Sequence, residues 1–282
     1  MKSLKRFSAA SPRSSVSGSS TIAWSFTASP STAAARQPSS TWRAAIRIFA
    51  LGLLLLVCIV PHLLAKLVGG RSPWPRLFLR SAARIAGARV HTVGSQPARH
   101  TLLVANHISW LDILILSGAT GCAFVSKDDL GHGFVHWLAD ENHTIYVNRS
   151  ARRESGNQVA AIQKGLRREQ PLAIFPEGTV GPGDHLLPFR STLLAAVAPA
   201  PDEVSVQPVA IDYGEAPAEI SWHGEKGAAN VLRILGRRGT FAVTVRLLDP
   251  LPRSSDRKQL ALVARERIAA ALAASSSADT RL

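Results

Sequence analysis

The sequence predicts an α/β domain, a mainly parallel sheet of about seven strands flanked by helices, with a membrane-associated helical segment ahead of it. Three observations predict it. From residue 88 onward, short apolar runs alternate with stretches of helical period, the pattern of strand–helix–strand units. Ahead of them stands a thirteen-residue run of apolar residues and glycine, 48–60. The charge also divides along the chain: residues 1–111 hold 14 Lys/Arg and no Asp/Glu, whereas 112–282 hold 19 of each sign. A chain of 282 residues accommodates one sizeable core plus extensions.

Residues 1–40 are rich in Ser, Ala, Thr and Pro and show no sustained period, so they are expected to be disordered. Residues 41–87 are expected to form membrane-associated helices. Between Arg47 and Lys66 lie 18 uncharged residues, just short of the ~20 that a comfortable bilayer span requires. Basic residues flank both ends, so loop charge sets no direction. Two forms are open: a single spanning helix, or a helix that dips into one leaflet and turns at Pro61. The next helix pattern carries Arg76, Arg80 and Arg84 at intervals of four, a basic stripe beside apolar faces that suits a lipid interface. Trp74, between two prolines, would anchor it there.

The body is expected over 88–275, with a short tail at 276–282. Its strand candidates are ARVHTV (88–93), HTLLVA (100–105), GCAFVS (121–126), HTIYV (143–147), PLAIF (171–175), VSVQPVAI (204–211) and FAVTVRLL (241–248). Helix patterns lie at SWLDILILSG (109–118), after Ser155 with Val159, Ile162 and Leu166 on one face, at LLAAVA (193–198), and from about 255 to 274. Residues 214–239 read as a longer, partly helical excursion.

The net charge of +14 belongs to the N-terminal part. A nucleic-acid binder would carry its basic face on the folded domain, so nucleic acid is not an expected partner. A basic flank beside an apolar run points instead to anionic lipid. The two cysteines, Cys58 and Cys122, form no C-x-x-C and are expected to be packing residues in a reducing compartment. The nine histidines show no metal-ligand spacing such as H-E-x-x-H, so no metal is expected.

The stretch VANHISWLD (104–112) places Asn106 and His107 at the carboxyl end of a strand, where open α/β sheets bind ligands. Asp112 is the first acidic residue of the chain. With Ser109 as N-cap, Asp112 falls at the third helical position, which is a capping role. From a bend before the helix, the carboxylate can also reach the imidazole and set its tautomer, leaving the other ring nitrogen as a base. PLAIFPEGTVGPGD (171–184) repeats the strand-then-break design. Glu177 is expected at the sheet edge, and Gly178 and Thr179 are expected to offer backbone N–H groups to an anion. HTIYVNRSARR ends another strand on Arg149, a phosphate partner by chemistry.

Together these blocks resemble the glycerolipid acyltransferases of the lysophosphatidate type. NHISWLD resembles their N-H-x-x-x-x-D block, FPEGT their F-P-E-G-T-R block, YVNR their second block and VQPVAI their fourth; SKDDL matches a K-x-E-L stretch loosely. The order is the family's, over about residues 75–250. The resemblance implies a glycerol-3-phosphate acyltransferase-like fold and direct acyl transfer. His107, held by Asp112, would deprotonate the acceptor hydroxyl for attack on acyl-CoA or acyl-ACP, a co-substrate rather than a cofactor. Arg149, Glu177, Gly178, Thr179 and Lys127 would contact the acceptor. The implied partners are a membrane lipid surface and a lysophospholipid acceptor. The implied site faces the cytoplasm, at the inner membrane in a bacterium.

The implied product is phosphatidic acid, from 1-acyl-glycerol-3-phosphate. Two departures bear on that acceptor. Val180 stands where the family commonly has Arg, and Asn148 where it has Asp. Arg190 falls near a family Lys and is a substitute for the missing cation. A lysolipid such as a lyso-ornithine lipid, needing less positive charge there, is the alternative acceptor. The reading from another class is a non-enzymatic basic protein that binds membrane or nucleic acid.

Overall fold

The computed structural model describes residues 39–69, 72–127, 133–147 and 155–279. Two helices, α1 (Thr41–Leu67) and α2 (Trp74–Ile85), precede seven strands. These are β1 (Ala88–Gly94), β2 (Thr101–Ala105), β3 (Ala123–Lys127), β4 (Ile145–Val147), β5 (Leu172–Ile174), β6 (Ser205–Asp212) and β7 (Phe241–Leu247). Between and after them lie α3 (Leu111–Thr120), α4 (Phe134–Glu141), α5 (Ser155–Leu166), the short α6 (Pro217–Ile220), α7 (Gly227–Gly236) and α8 (Arg257–Asp279). The LLAAVA pattern forms a 3-10 helix, Leu193–Val197, rather than an α-helix.

All seven strands form one sheet in the order β1-β7-β6-β2-β5-β3-β4. The β6–β7 pairing is antiparallel and every other pairing is parallel, so β7 and β1 run against the remaining five. Helices cover both faces, and the strand period decides which residue faces which layer. In β2, Leu103 and Ala105 join α3, α7 and the buried Ala83 of α2 in one core, together with Leu111, Ile115 and Ile234. Leu102 and Val104 join α5 and α8 in the other, with Ile162, Leu166, Leu260 and Ala264. Burying each such Leu or Ile side chain contributes about 1.5–3 kcal/mol. Strand β2 is buried at all five positions, as a central strand covered on both faces must be.

β2 lies between β5 and β6. The three parallel strands therefore bring the loops after residues 105, 174 and 212 to one sheet edge. That edge is the crevice where parallel sheets hold ligands.

Helix α1 continues through Pro61 to Leu67; of the two forms left open, the turn at Pro61 does not occur. The missing proline N–H costs one hydrogen bond, but side-chain contacts on both sides of that point hold the helix to the body. The Arg47 guanidinium donates to the carbonyls of Ile234, Leu235 and Gly239. His62 is buried, with Nδ1 2.7 Å from Ser72 Oγ and Nε2 2.8 Å from Glu141 Oε2, and Lys66 donates to the same carboxylate. Arg47 and Lys66 lie about 28 Å apart along the helix axis at 1.5 Å per residue, and both reach back to the body. The outer face stays apolar and exposed, with Phe49, Leu53, Leu56, Val60 and Leu67 among its residues, as a membrane-associated helix requires.

Trp74 does not stand free as an anchor. It lines a narrow apolar crevice of about 40 Å³ against α1 and α4. α2 packs so closely on α3 that a Cβ at Gly118 would lie 2.7 Å from the Arg80 Cα; glycine there permits the contact. Both cysteines are buried, and burial pushes the Cys122 thiol up to about 12, which leaves it an inert packing group.

Candidate active site

At the end of β2 the chain leaves the sheet, and the backbone N–H and C=O groups there need new partners. They find them in the neighbouring loops. The Asn106 amide replaces a missing strand residue, accepting from Ile211 N at 2.8 Å and donating to Ile211 O at 3.0 Å. His107 N donates to Glu177 Oε1 at 2.8 Å, and His107 O accepts from Gly181 N at 2.6 Å. Ile108 O accepts from Trp222 N at 2.9 Å. The loops after β2, β5 and β6 are thereby tied into one floor.

Asp112, fully buried, sits beneath that floor. Its Oδ2 lies 2.8 Å from His107 Nδ1 and also accepts the N–H groups of Ile108 at 2.8 Å and Ser109 at 2.9 Å. Its Oδ1 accepts the Tyr213 hydroxyl at 2.5 Å. The same oxygen therefore holds the turn ahead of α3 and orients the imidazole. The helix starts at Leu111, which makes Asp112 its second residue rather than its third. A carboxylate oxygen that already accepts two backbone N–H groups can only accept from Nδ1. Nδ1 therefore carries a proton, and in the neutral ring Nε2 keeps the lone pair. The ring stacks on Phe175, with centroids 4.1 Å apart and planes 15° apart, which fixes its plane. Burial and the Asp112 charge hold the Tyr213 phenol well above its ordinary value, so it stays a donor.

His107 is on the wall of a cavity of about 980 Å³. α3 contributes Ile113 and Leu114, β3 contributes Val125 and Ser126, and Phe78 and Leu79 of α2 close one side. Gly178, Thr179 and Val180 line it near the histidine, and the loop after β6 supplies Trp222, His223, Glu225 and Lys226. The lining is largely apolar, with a few polar groups among it, the constitution of a lipid-sized site.

The structure thus brings His107, Asp112, Gly178 and Thr179 together. The remaining expected residues are placed otherwise. Glu177 is buried, and its second oxygen accepts Leu187 N at 3.0 Å. It braces two loops from behind the histidine instead of facing the cavity. Burial pushes its carboxyl above the usual range, against the pull of the His107 and Leu187 N–H groups. Gly178 N donates to Phe175 O at 3.1 Å in the turn, so it is not available to an anion as expected, whereas the Thr179 N–H has no partner among the described residues. Arg190 is exposed, does not line the cavity, and uses its N–H on Pro176 O. Lys127 closes strand β3, its side chain lying outside the described portion, and Arg149 lies outside the described residues.

Tyr213, Phe175 and Trp222 are components that sequence reasoning missed. Tyr213 directly follows the VQPVAI strand, which neighbours β2; a phenol at that strand end was the available signal. Removing it tests its role. Tyr213→Phe leaves one buried carboxylate oxygen without its donor, and is expected to cost about 1–3 kcal/mol of stability with a smaller loss of rate than either His107 or Asp112 variants. Denaturation midpoints and initial rates on the same preparation check this.

Comparison with known proteins follows the same lines. The profile of the family described as Acyltransferase matches residues 88–212. The chain is 33% identical over 230 residues to the lyso-ornithine lipid O-acyltransferase of Brucella abortus, covering 75% of this chain and 86% of that protein. It is 31% identical over 120 residues to the 1-acyl-sn-glycerol-3-phosphate acyltransferase of Neisseria gonorrhoeae, covering 42% and 47%. In fold it resembles the crystal structure of the 1-acyl-sn-glycerophosphate acyltransferase PlsC of Thermotoga maritima. The TM-score is 0.59 at 19% identity, covering 82% of this chain and 92% of that one.

Proposed function

This chain belongs to the acyltransferase family, and from that premise we propose that it esterifies the free hydroxyl of a lyso-ornithine lipid with a fatty acyl group from an acyl thioester. The observation that carries the acceptor is Val180. It lines the cavity beside Thr179, where the lysophosphatidate-type block has an arginine. A phosphate monoester brings nearly two negative charges and needs that guanidinium. An ornithine headgroup is a zwitterion, one carboxylate and one ammonium. The described lining holds one Lys or Arg side chain, Lys226, to meet the ornithine carboxylate; its one carboxylate, Glu225, is paired with Arg233 at 2.8 Å. The greater extent of similarity to the Brucella protein supports the same choice over 1-acyl-glycerol-3-phosphate.

The reaction runs without an acyl-enzyme. His107 Nε2 takes the proton of the acceptor hydroxyl as its oxygen attacks the thioester carbonyl. The resulting imidazolium is held by Asp112. In this reading the Thr179 N–H, without a partner among the described residues, donates to the developing oxyanion. As the C–S bond breaks, the sulfur leaves with the proton returned by the imidazolium, and the ester remains. Arg149 and Lys127 are kept as headgroup contacts on the strength of the family resemblance. The site opens on the cytoplasmic side, where acyl thioesters are made.

An acceptor panel tests this reading. Purified protein is given lyso-ornithine lipid or 1-acyl-glycerol-3-phosphate, each with acyl-CoA and with acyl-ACP. The expected result is a kcat/KM for lyso-ornithine lipid about tenfold or more above the other, a preference of about 1.4 kcal/mol or more. Equal or better use of the phosphate acceptor overturns the choice of acceptor; transfer to neither overturns the reading.

A further inference from the structure

A second pocket, of about 240 Å³, lies on the other side of α3 from the apolar cavity. Arg76, Arg80 and Arg84 of α2 line it together with Thr92 and Gln96, and no acidic residue does. Arg76 is engaged, donating to the carbonyls of Gly118 and Ala119 at the end of α3. Arg80 and Arg84 have no hydrogen-bond or ion-pair partner among the described residues. Like charges four residues apart on a helix repel, and here the repulsion has no protein counter-charge. The guanidinium forks and the neutral donors of Thr92 and Gln96 surround one concavity. Phosphate oxygens are what such forks bind.

We propose that this pocket is a phosphate-binding site. Its place suits a donor that carries phosphate. Leu114 lines both this pocket and the catalytic cavity. Gly118, at the pocket, is about 6 Å along α3 from Leu114 at 1.5 Å per residue, within the reach of a pantetheine arm. Acyl-CoA bears a 3′-phosphorylated ADP at the far end of that arm, and the described lining of the main cavity holds one Lys or Arg side chain, Lys226. The same phosphate chemistry is offered by an anionic lipid headgroup at the membrane surface. The phosphate site itself does not depend on the proposed acyl transfer, although its use for the donor does.

The test measures binding, not turnover. The full chain and an Arg80→Gln/Arg84→Gln variant, leaving Arg76 in its structural role, are titrated with 3′,5′-ADP and with inorganic pyrophosphate. Both are also floated with phosphatidylglycerol or phosphatidylcholine vesicles. Melting curves confirm that the variant folds. The expected result is salt-sensitive nucleotide binding that the variant loses by about tenfold or more. Loss confined to phosphatidylglycerol vesicles supports the site with a lipid as its phosphate source. Unchanged binding of every phosphate probe overturns it.

Discussion

Replacing His107 with alanine is expected to lower acyl transfer by about 10²–10⁴-fold, the contribution of a positioned general base, with the fold and membrane attachment intact. The expectation rests on where the ring makes its contacts. Its side chain is 15% exposed at the cavity wall, stacked on Phe175 and bonded to Asp112 through one nitrogen. The backbone bonds of residue 107 to Glu177 and Gly181 do not need the imidazole and survive the change. Membrane attachment is expected of the apolar face of α1, on a different element. Turnover per folded molecule and vesicle flotation separate the two properties. A variant that turns over near the normal rate would remove His107 from the mechanism.

Asp112→Asn is the second large effect, and its geometry makes it informative. The asparagine oxygen can take the place of Oδ2 and still accept from His107, Ile108 and Ser109. The new NH₂ then faces the Tyr213 hydroxyl, which can turn to accept. The reverse orientation would set an NH₂ against two backbone N–H groups and is excluded by chemistry. The bonds to the turn ahead of α3 therefore survive in large part, while the charge that stabilises the imidazolium is gone. The rate is expected to fall by about 10²-fold or more, for a stability loss of about 1–3 kcal/mol. Urea unfolding and single-turnover rates check the pair. If Asp112 only caps the helix, stability falls and the rate per folded molecule does not.

The His107–Asp112 pair was legible because both residues lie within one strand–turn–helix, where spacing and capping rules operate over a few residues. The seven strands were legible for a similar reason, since apolar runs and turn residues are local. What escaped depends on sidedness and distant partners. Glu177 sits in a motif that reads as exposed, but a backbone N–H 70 residues away draws it inward. Tyr213 reaches Asp112 across 101 residues, and only the adjacency of β6 and β2 brings them together. The direction of β1 and β7 against the other strands is likewise set by the path of the chain, not by strand composition. Pro61 left a turn and an unbroken helix equally open by local rule, and the helix runs on unbroken, with His62 tied to Glu141, 79 residues on.

The attachment of α1 to the body through both Arg47 and Lys66 has a kinetic consequence. The crevice beneath α1 shares Phe78, Leu79, Leu138 and Asn142 with the wall of the cavity that holds His107, so under the proposed function the reacting centre is carried alongside the apolar helix. An acceptor arriving by lateral diffusion need not leave the bilayer. The concentration that governs turnover is then a mole fraction per unit of membrane area, and inert lipid added to the same vesicles acts as a diluent even when the amount of acceptor in the tube is unchanged.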